Sequence, residues 1–182
     1  MIVGAIVPEM VAEGQVWRML TSMFLHGSFV HLAVNMLALF FLGTFAEQVM
    51  GRGKFFALYL VSGISGGLAL LYFGDLQTVA VGASGAIFGL VGGIMGLAIQ
   101  QGMFSWQNPI IRQLLILTVI NLFIGASIPQ VSNTAHIGGL IGGAAFGWIV
   151  SESFFRGRGA LLPAVIFLAI EAALIAFWFL TL

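Results

Sequence analysis

Apolar runs about as long as a bilayer's hydrocarbon core follow one another through nearly the whole chain, parted by short turns that hold most of its charges. A membrane-spanning helix needs about 20 such residues, and in lipid only helices and closed barrels satisfy their own backbone. Composition agrees, with 60% of the 182 residues hydrophobic and 7% charged, where a soluble domain carries about a quarter charged. The alternation that a transmembrane barrel requires is absent. The sequence therefore predicts an all-α polytopic membrane protein. Formal net charge is zero, which gives nucleic acid no basic surface to bind. With no cysteine, disulfides and thiolate chemistry are ruled out. The three histidines form no cluster with the spacing of metal ligands, so neither metal nor cofactor is expected.

Six spans are expected in order: Phe29 to Gln48, Phe55 to Phe73, Ala83 to Ile99, Leu114 to Ser127 (short unless it takes in the residues from Ile110, after the loop that holds Pro109), Ala135 to Val150 and Leu161 to Leu182. Residues 1–28 precede them as a mixed segment broken by Pro8, Glu9, Glu13 and Gly14, with none of the layout of a signal peptide. Within it Trp17-Arg18 suits the headgroup region, where ring and cation both find partners. Arg52 and Lys54, then Arg112, then Arg156 and Arg158 occupy alternate loops, with Arg18 alone on the other side. The positive-inside rule makes the first side cytoplasmic. The first, third and fifth spans then run inward from the outer face. His31, Asn35, Ser84 and His136 all lie in their first turns, at about 1.5 Å of depth per residue. Three helices thus bring polar groups to one shallow layer that outside water can reach.

Ser84 and His136 are the residues in that layer able to do chemistry together. A serine flanked by Gly82 and Gly85 has room for close approach of backbone and substrate. It would also open a helix whose unpaired N–H groups can hold an oxyanion. Its plain alternative is a hydroxyl bonded back to the preceding turn. An ionisable group inside a membrane is costly and points to function, although a neutral histidine bridging two helices is the simpler role for His136. Gly139, Gly143 and Gly147 share the face of His136, and Gly85, Gly89, Gly93 and Gly96 stripe the third span. Two such helices can pack backbone to backbone and bring a nucleophile within reach of a base. His31 and Asn35, four residues apart, share a face and can donate to developing charge or simply bond between helices. His26 reads as exposed or interfacial. Neither Asp75 nor Glu47 is placed to orient His136, so a Ser–His dyad fits better than a triad. Glu171, midway along the last span, has no partner that the sequence identifies and reads as a protonated, helix-bonded glutamate.

These residues resemble the rhomboid family of intramembrane serine proteases. The likeness is carried by Gln15-Val16-Trp17-Arg18, His26-Gly27-Ser28-Phe29-Val30-His31-Leu32-Ala33-Val34-Asn35, Glu47 to Gly51, Gly82-Ala83-Ser84-Gly85 and Ala135-His136-Ile137-Gly138-Gly139, in the family's order. It implies a rhomboid-like bundle in which Ser84 is the nucleophile and His136 the general base. His31, Asn35 and the Ser84 backbone N–H would form the oxyanion hole, with Gly82, Phe88 and Gly139 in support. Phe88 falls where the family often has an aromatic ring on the base, frequently tyrosine. Glu47 and Arg52 would be structural. Residues 1–28 would be an outer interfacial segment, 29–160 the catalytic core and 161–182 an additional C-terminal helix of one membrane domain. The family's first span is not found before Trp17-Arg18, so the chain is expected to be truncated at its N-terminus. The implied activity is endopeptidase cleavage of transmembrane or juxtamembrane segments of membrane proteins, with lipid as surroundings and no metal. Short loops and the lack of a targeting segment favour a prokaryotic inner membrane. The alternative is a non-catalytic membrane scaffold or small transporter that uses the same polar layer to bind.

Overall fold

The computed structural model describes residues 3–128, 131–155 and 161–181. The N-terminal segment folds as two short helices, α1 (Pro8–Ala12) and α2 (Arg18–Thr21), then a 3-10 turn at Ser22–Phe24. Its one extended stretch pairs with the loop before Ser84, where Ile6 and Ala80 exchange both backbone hydrogen bonds at 3.0 Å. Arg18 is buried against the protein. Its Nη1 donates to Ala5 O at 2.8 Å, its Nε donates to Gln15 Oε1 at 2.7 Å, and it lies 4.8 Å from the Trp17 ring centre. A buried guanidinium needs such acceptors, and here they tie the segment back onto the bundle.

The first long helix is interrupted. It runs as α3 (Phe29–Ala38), a π turn over Leu39–Gly43, and α4 (Thr44–Met50). Ser28 caps it, its Oγ accepting from His31 N at 3.1 Å. Gly51 ends α4 at φ +83°, backbone that only glycine adopts cheaply, and α5 (Arg52–Phe73) starts at once. The expected basic turn is therefore a single glycine, closed by an exposed Arg52 Nε–Glu47 Oε1 ion pair of 3.0 Å. Next come α6 (Ser84–Gln100), α7 (Pro109–Ala126), α8 (Asn133–Phe155) and α9 (Leu161–Leu180).

Five of these stretches are long and apolar enough to cross a membrane, namely Phe29–Met50, Arg52–Phe73, Pro109–Ala126, Asn133–Ser151 and Leu162–Leu180. At 17 residues α6 is a shorter sixth apolar helix, about 26 Å long at about 1.5 Å per residue. The fourth span takes in the residues from Ile110 and begins one residue before them. Pro109 opens α7 instead of breaking it, because its missing N–H costs nothing at the first helical position. Asn108 Oδ1 caps the end, accepting from Ile110 N at 3.0 Å. Arg156 and Arg158, used above to assign loops, lie outside the described residues.

Glycine decides how the centre is built. The stripes of α6 and α8 meet in register, Gly85 against Gly139, Gly89 against Gly143 and Gly93 against Gly147, and a Cβ on any of the α8 three would overlap the α6 backbone. On its other side α8 lies against α5, where a Cβ on Gly66 would come 2.8 Å from Ala135 O. Bulk returns around this seam. Leu58, Leu90, Phe146 and Val150 form a buried cluster among the three helices, while Ile6, Val11, Leu70 and Trp178 form another joining the N-terminal segment, α5 and α9.

Candidate active site

Close packing of α6 on α8 fixes the distance between the first residues of each. His136 Nε2 and Ser84 Oγ lie 2.8 Å apart, a hydrogen-bond distance. His136 is buried and Ser84 half-buried. Phe88, one turn along from Ser84, lies flat on the imidazole with ring centres 4.3 Å apart and planes at 7°. His136 Nδ1 is buried with no hydrogen-bond partner among the described residues. Among the described residues no carboxylate bonds to the ring. With Nδ1 carrying the imidazole proton, Nε2 is free to accept from the Ser84 hydroxyl.

Loop and cap geometry complete the surroundings. Gly82 sits at φ +128°, and a Cβ there would lie 2.8 Å from His31 Cε1. Both facts demand glycine. Its N–H donates to Ser22 O at 2.9 Å, which locks the loop carrying Ser84 to the N-terminal segment. The first N–H of α6 to find an intrahelical acceptor is that of Ile87, bonded to Ala83 O. Those of Ser84, Gly85 and Ala86 come before the helical ladder begins and make this end attractive to negative charge. Asn35 is buried and uses one amide N–H on His31 O at 2.8 Å. Ser132 caps α8 just before His136, its Oγ accepting from Ala135 N at 3.2 Å.

All of Ser84, His136, His31, Asn35, Gly82 and Phe88 line one cavity of about 1140 Å³. Gly139 lies behind it, buried in the seam. On one side the cavity is walled by α3 and the π turn, through Val34 and Phe41, and on the other by α7, through Leu117 and Asn121. His26, expected to be exposed or interfacial, is half-buried and edge-on to His31, with ring centres 5.1 Å apart. Burial first, and the neighbouring His31 second, hold its imidazole below the usual histidine range. The pairing of Ile6 with Ala80 had no signal in the sequence, since one bridge carries no periodicity.

A profile of the Rhomboid domain matches residues 13–153. Rhomboid protease GluP of Bacillus subtilis (strain 168) is 37% identical over 171 residues, 92% of this chain and 32% of that protein. RHOMBOID-like protein 5 of Arabidopsis thaliana is 36% identical over 149 residues, 81% of this chain and 48% of that protein. RHOMBOID-like protein 7 of the same plant is 38% identical over 144 residues, 78% of this chain and 45% of that protein. The chain thus spans between a third and a half of the length of these relatives. A polytopic helical membrane protein matched over most of its length in this way belongs to the rhomboid family.

Proposed function

We propose that the chain is an intramembrane serine endopeptidase working through a Ser84–His136 dyad. The observation that carries this is the 2.8 Å contact between His136 Nε2 and Ser84 Oγ at the wall of a large cavity, under the Phe88 ring. His136 Nε2 takes the hydroxyl proton as Ser84 Oγ attacks the scissile carbonyl. The oxyanion is held by the Ser84 backbone N–H with His31 and Asn35. Collapse breaks the C–N bond, and the leaving amine takes the proton from His136 Nε2. Water, deprotonated by the same nitrogen, then attacks the acyl-serine and frees the new carboxyl end.

The substrate is a transmembrane or juxtamembrane segment of another membrane protein. Its scissile carbonyl is bonded within its own helix, so it must unwind locally in the cavity, and small or helix-weakening residues favour that. With Arg52, Lys54 and Arg112 placed on the cytoplasmic side, the dyad lies near the outer face, in a prokaryotic inner membrane. A fluorophosphonate probe should label the purified protein in detergent or vesicles. Binding without labelling would favour a scaffold or transporter instead.

Two substitutions test the supporting residues. Phe88→Ala removes the surface that holds the imidazole flat, and kcat on a transmembrane substrate is expected to fall about 10-fold, as for a misoriented base. Phe88→Tyr, which keeps the ring, should stay near wild type. Gly82→Ala adds a methyl against His31 at a φ that alanine avoids. Strain of roughly 1–3 kcal/mol would be relieved by shifting the loop, so labelling should slow sharply while the helices persist by circular dichroism. Unchanged labelling would mean that the loop does not set the site.

A further inference from the structure

Among the described residues, three hydrogen bonds fasten α9 along α5. Trp178 Nε1 donates to Leu71 O at 2.9 Å and Tyr72 OH donates to Leu174 O at 2.8 Å. The third differs in kind, because Ser65 Oγ donates to Glu171 Oε1 at 2.5 Å. A carboxyl inside a membrane helix is costly. Glu171 is 3% exposed and its Oε2 has no hydrogen-bond partner among the described residues. Docking alone would be served as well by leucine. What the carboxyl adds is a fixed acceptor for one particular hydroxyl.

That hydroxyl occupies the notch left by Gly142 on α8, where a Cβ would overlap Ser65 Oγ and Cβ. One turn earlier, a Cβ on Gly138 would come 2.8 Å from Ser65 O. Ser65 is therefore one of the points at which α5 meets the helix of His136. Without its acceptor the hydroxyl can turn back to a carbonyl of its own helix, leaving the notch differently filled and α8 free to slide or rotate. We propose that Glu171 is a positioning residue: its carboxyl holds the Ser65 side chain in the Gly142 notch and so sets the depth and rotation at which His136 meets Ser84. This rests on the dyad reading above, and the geometry of the contact itself is independent of it.

The test compares Glu171→Ala, Glu171→Gln, Ser65→Ala, the Glu171/Ser65 double variant and Trp178→Phe in the full chain. Trp178→Phe loses a different bond between α9 and α5 and serves as the control for loosened docking. A misplacement of about 1 Å costs up to about 100-fold in rate. On a transmembrane substrate, Glu171→Ala and Ser65→Ala should each lower kcat about 10- to 100-fold with KM little changed, and the double variant should fall no further. Glu171→Gln, which keeps shape and acceptor, should retain most of kcat, and Trp178→Phe should lower Tm but not kcat. The ¹⁵N signals of the His136 imidazole should shift in Glu171→Ala and not in Trp178→Phe. Glutamine as poor as alanine, additive losses, or imidazole signals unmoved by Glu171→Ala would overturn the proposal. If Glu171→Ala does not fold, Ser65→Ala and Glu171→Gln carry the comparison. An inactive, unlabelled wild-type protein would sink the dyad reading, while the imidazole signals would still decide the role of Glu171.

Discussion

Ser84→Ala is expected to abolish both peptide-bond cleavage and labelling by a fluorophosphonate, and His136→Ala to do nearly the same. Removing the nucleophile or base of a hydrolase costs on the order of 10⁴- to 10⁶-fold in kcat, or roughly 5–8 kcal/mol of barrier. The size of the effect follows from the simplicity of the site. His136 Nδ1 has no hydrogen-bond partner among the described residues, so in the proposed mechanism no third side chain shares the proton transfer. The double variant should be no slower than either single one, because the two side chains act as one unit. Neither substitution creates a clash, so both variants should keep wild-type Tm within a few degrees, and a loss of activity can be read as chemistry. The decisive comparison is labelling of the folded wild type against folded Ser84→Ala. Equal labelling would place the nucleophile elsewhere and end the dyad proposal.

Much of this was legible in the sequence because membranes restrict what a chain can be. Apolar length alone located the spans, and one residue type at a four-residue spacing identified the seam between α6 and α8. The register at which Gly85 meets Gly139 could be anticipated only as two stripes that fit, since nothing in either stripe says which glycine faces which. Boundaries went astray where a residue has two meanings. Pro109 reads as part of a loop until Asn108 is seen capping the turn around it, and the acceptors of Arg18, Ala5 O and Gln15 Oε1, had no signal in the sequence.

Contacts between distant segments were the hardest to foresee. The Ile6–Ala80 bridge and the Ser65–Glu171 bond join residues far apart in the chain, each through a single pair with no periodicity to betray it. Glu171 was expected to bond within its own helix, and its acceptor oxygen instead serves a hydroxyl from α5. What sequence reading could supply there was the anomaly of a carboxylic acid in lipid. The partner had to come from packing.

Gly143→Leu is expected to have the largest effect on the fold itself. A Cβ at that position would overlap the carbonyl oxygen and Cα of Gly89. Those are backbone atoms, which cannot turn aside as a side chain can, and Ser62 already fills the Gly89 notch beside them. Overpacking a core costs typically 1–3 kcal/mol when side chains can rearrange. Here a whole helix must move, and the protein should fail to accumulate or should melt far below wild type. Gly139→Ala sets the same conflict beside the dyad, against Gly85 O, with a methyl instead of a butyl group. Separating the helices there lengthens the path from Ser84 Oγ to His136 Nε2 before it unfolds anything. The expected result is a moderate loss of Tm with a fall in kcat of about 100-fold, the effect of roughly 1 Å of misplacement. Gly53→Ala provides the contrast, since nothing lies within 4 Å of a Cβ there and alanine raises helix propensity by about 1 kcal/mol. Its Tm should be unchanged or slightly higher. If all three glycines tolerated substitution equally, the backbone seam would not be what holds serine and histidine together.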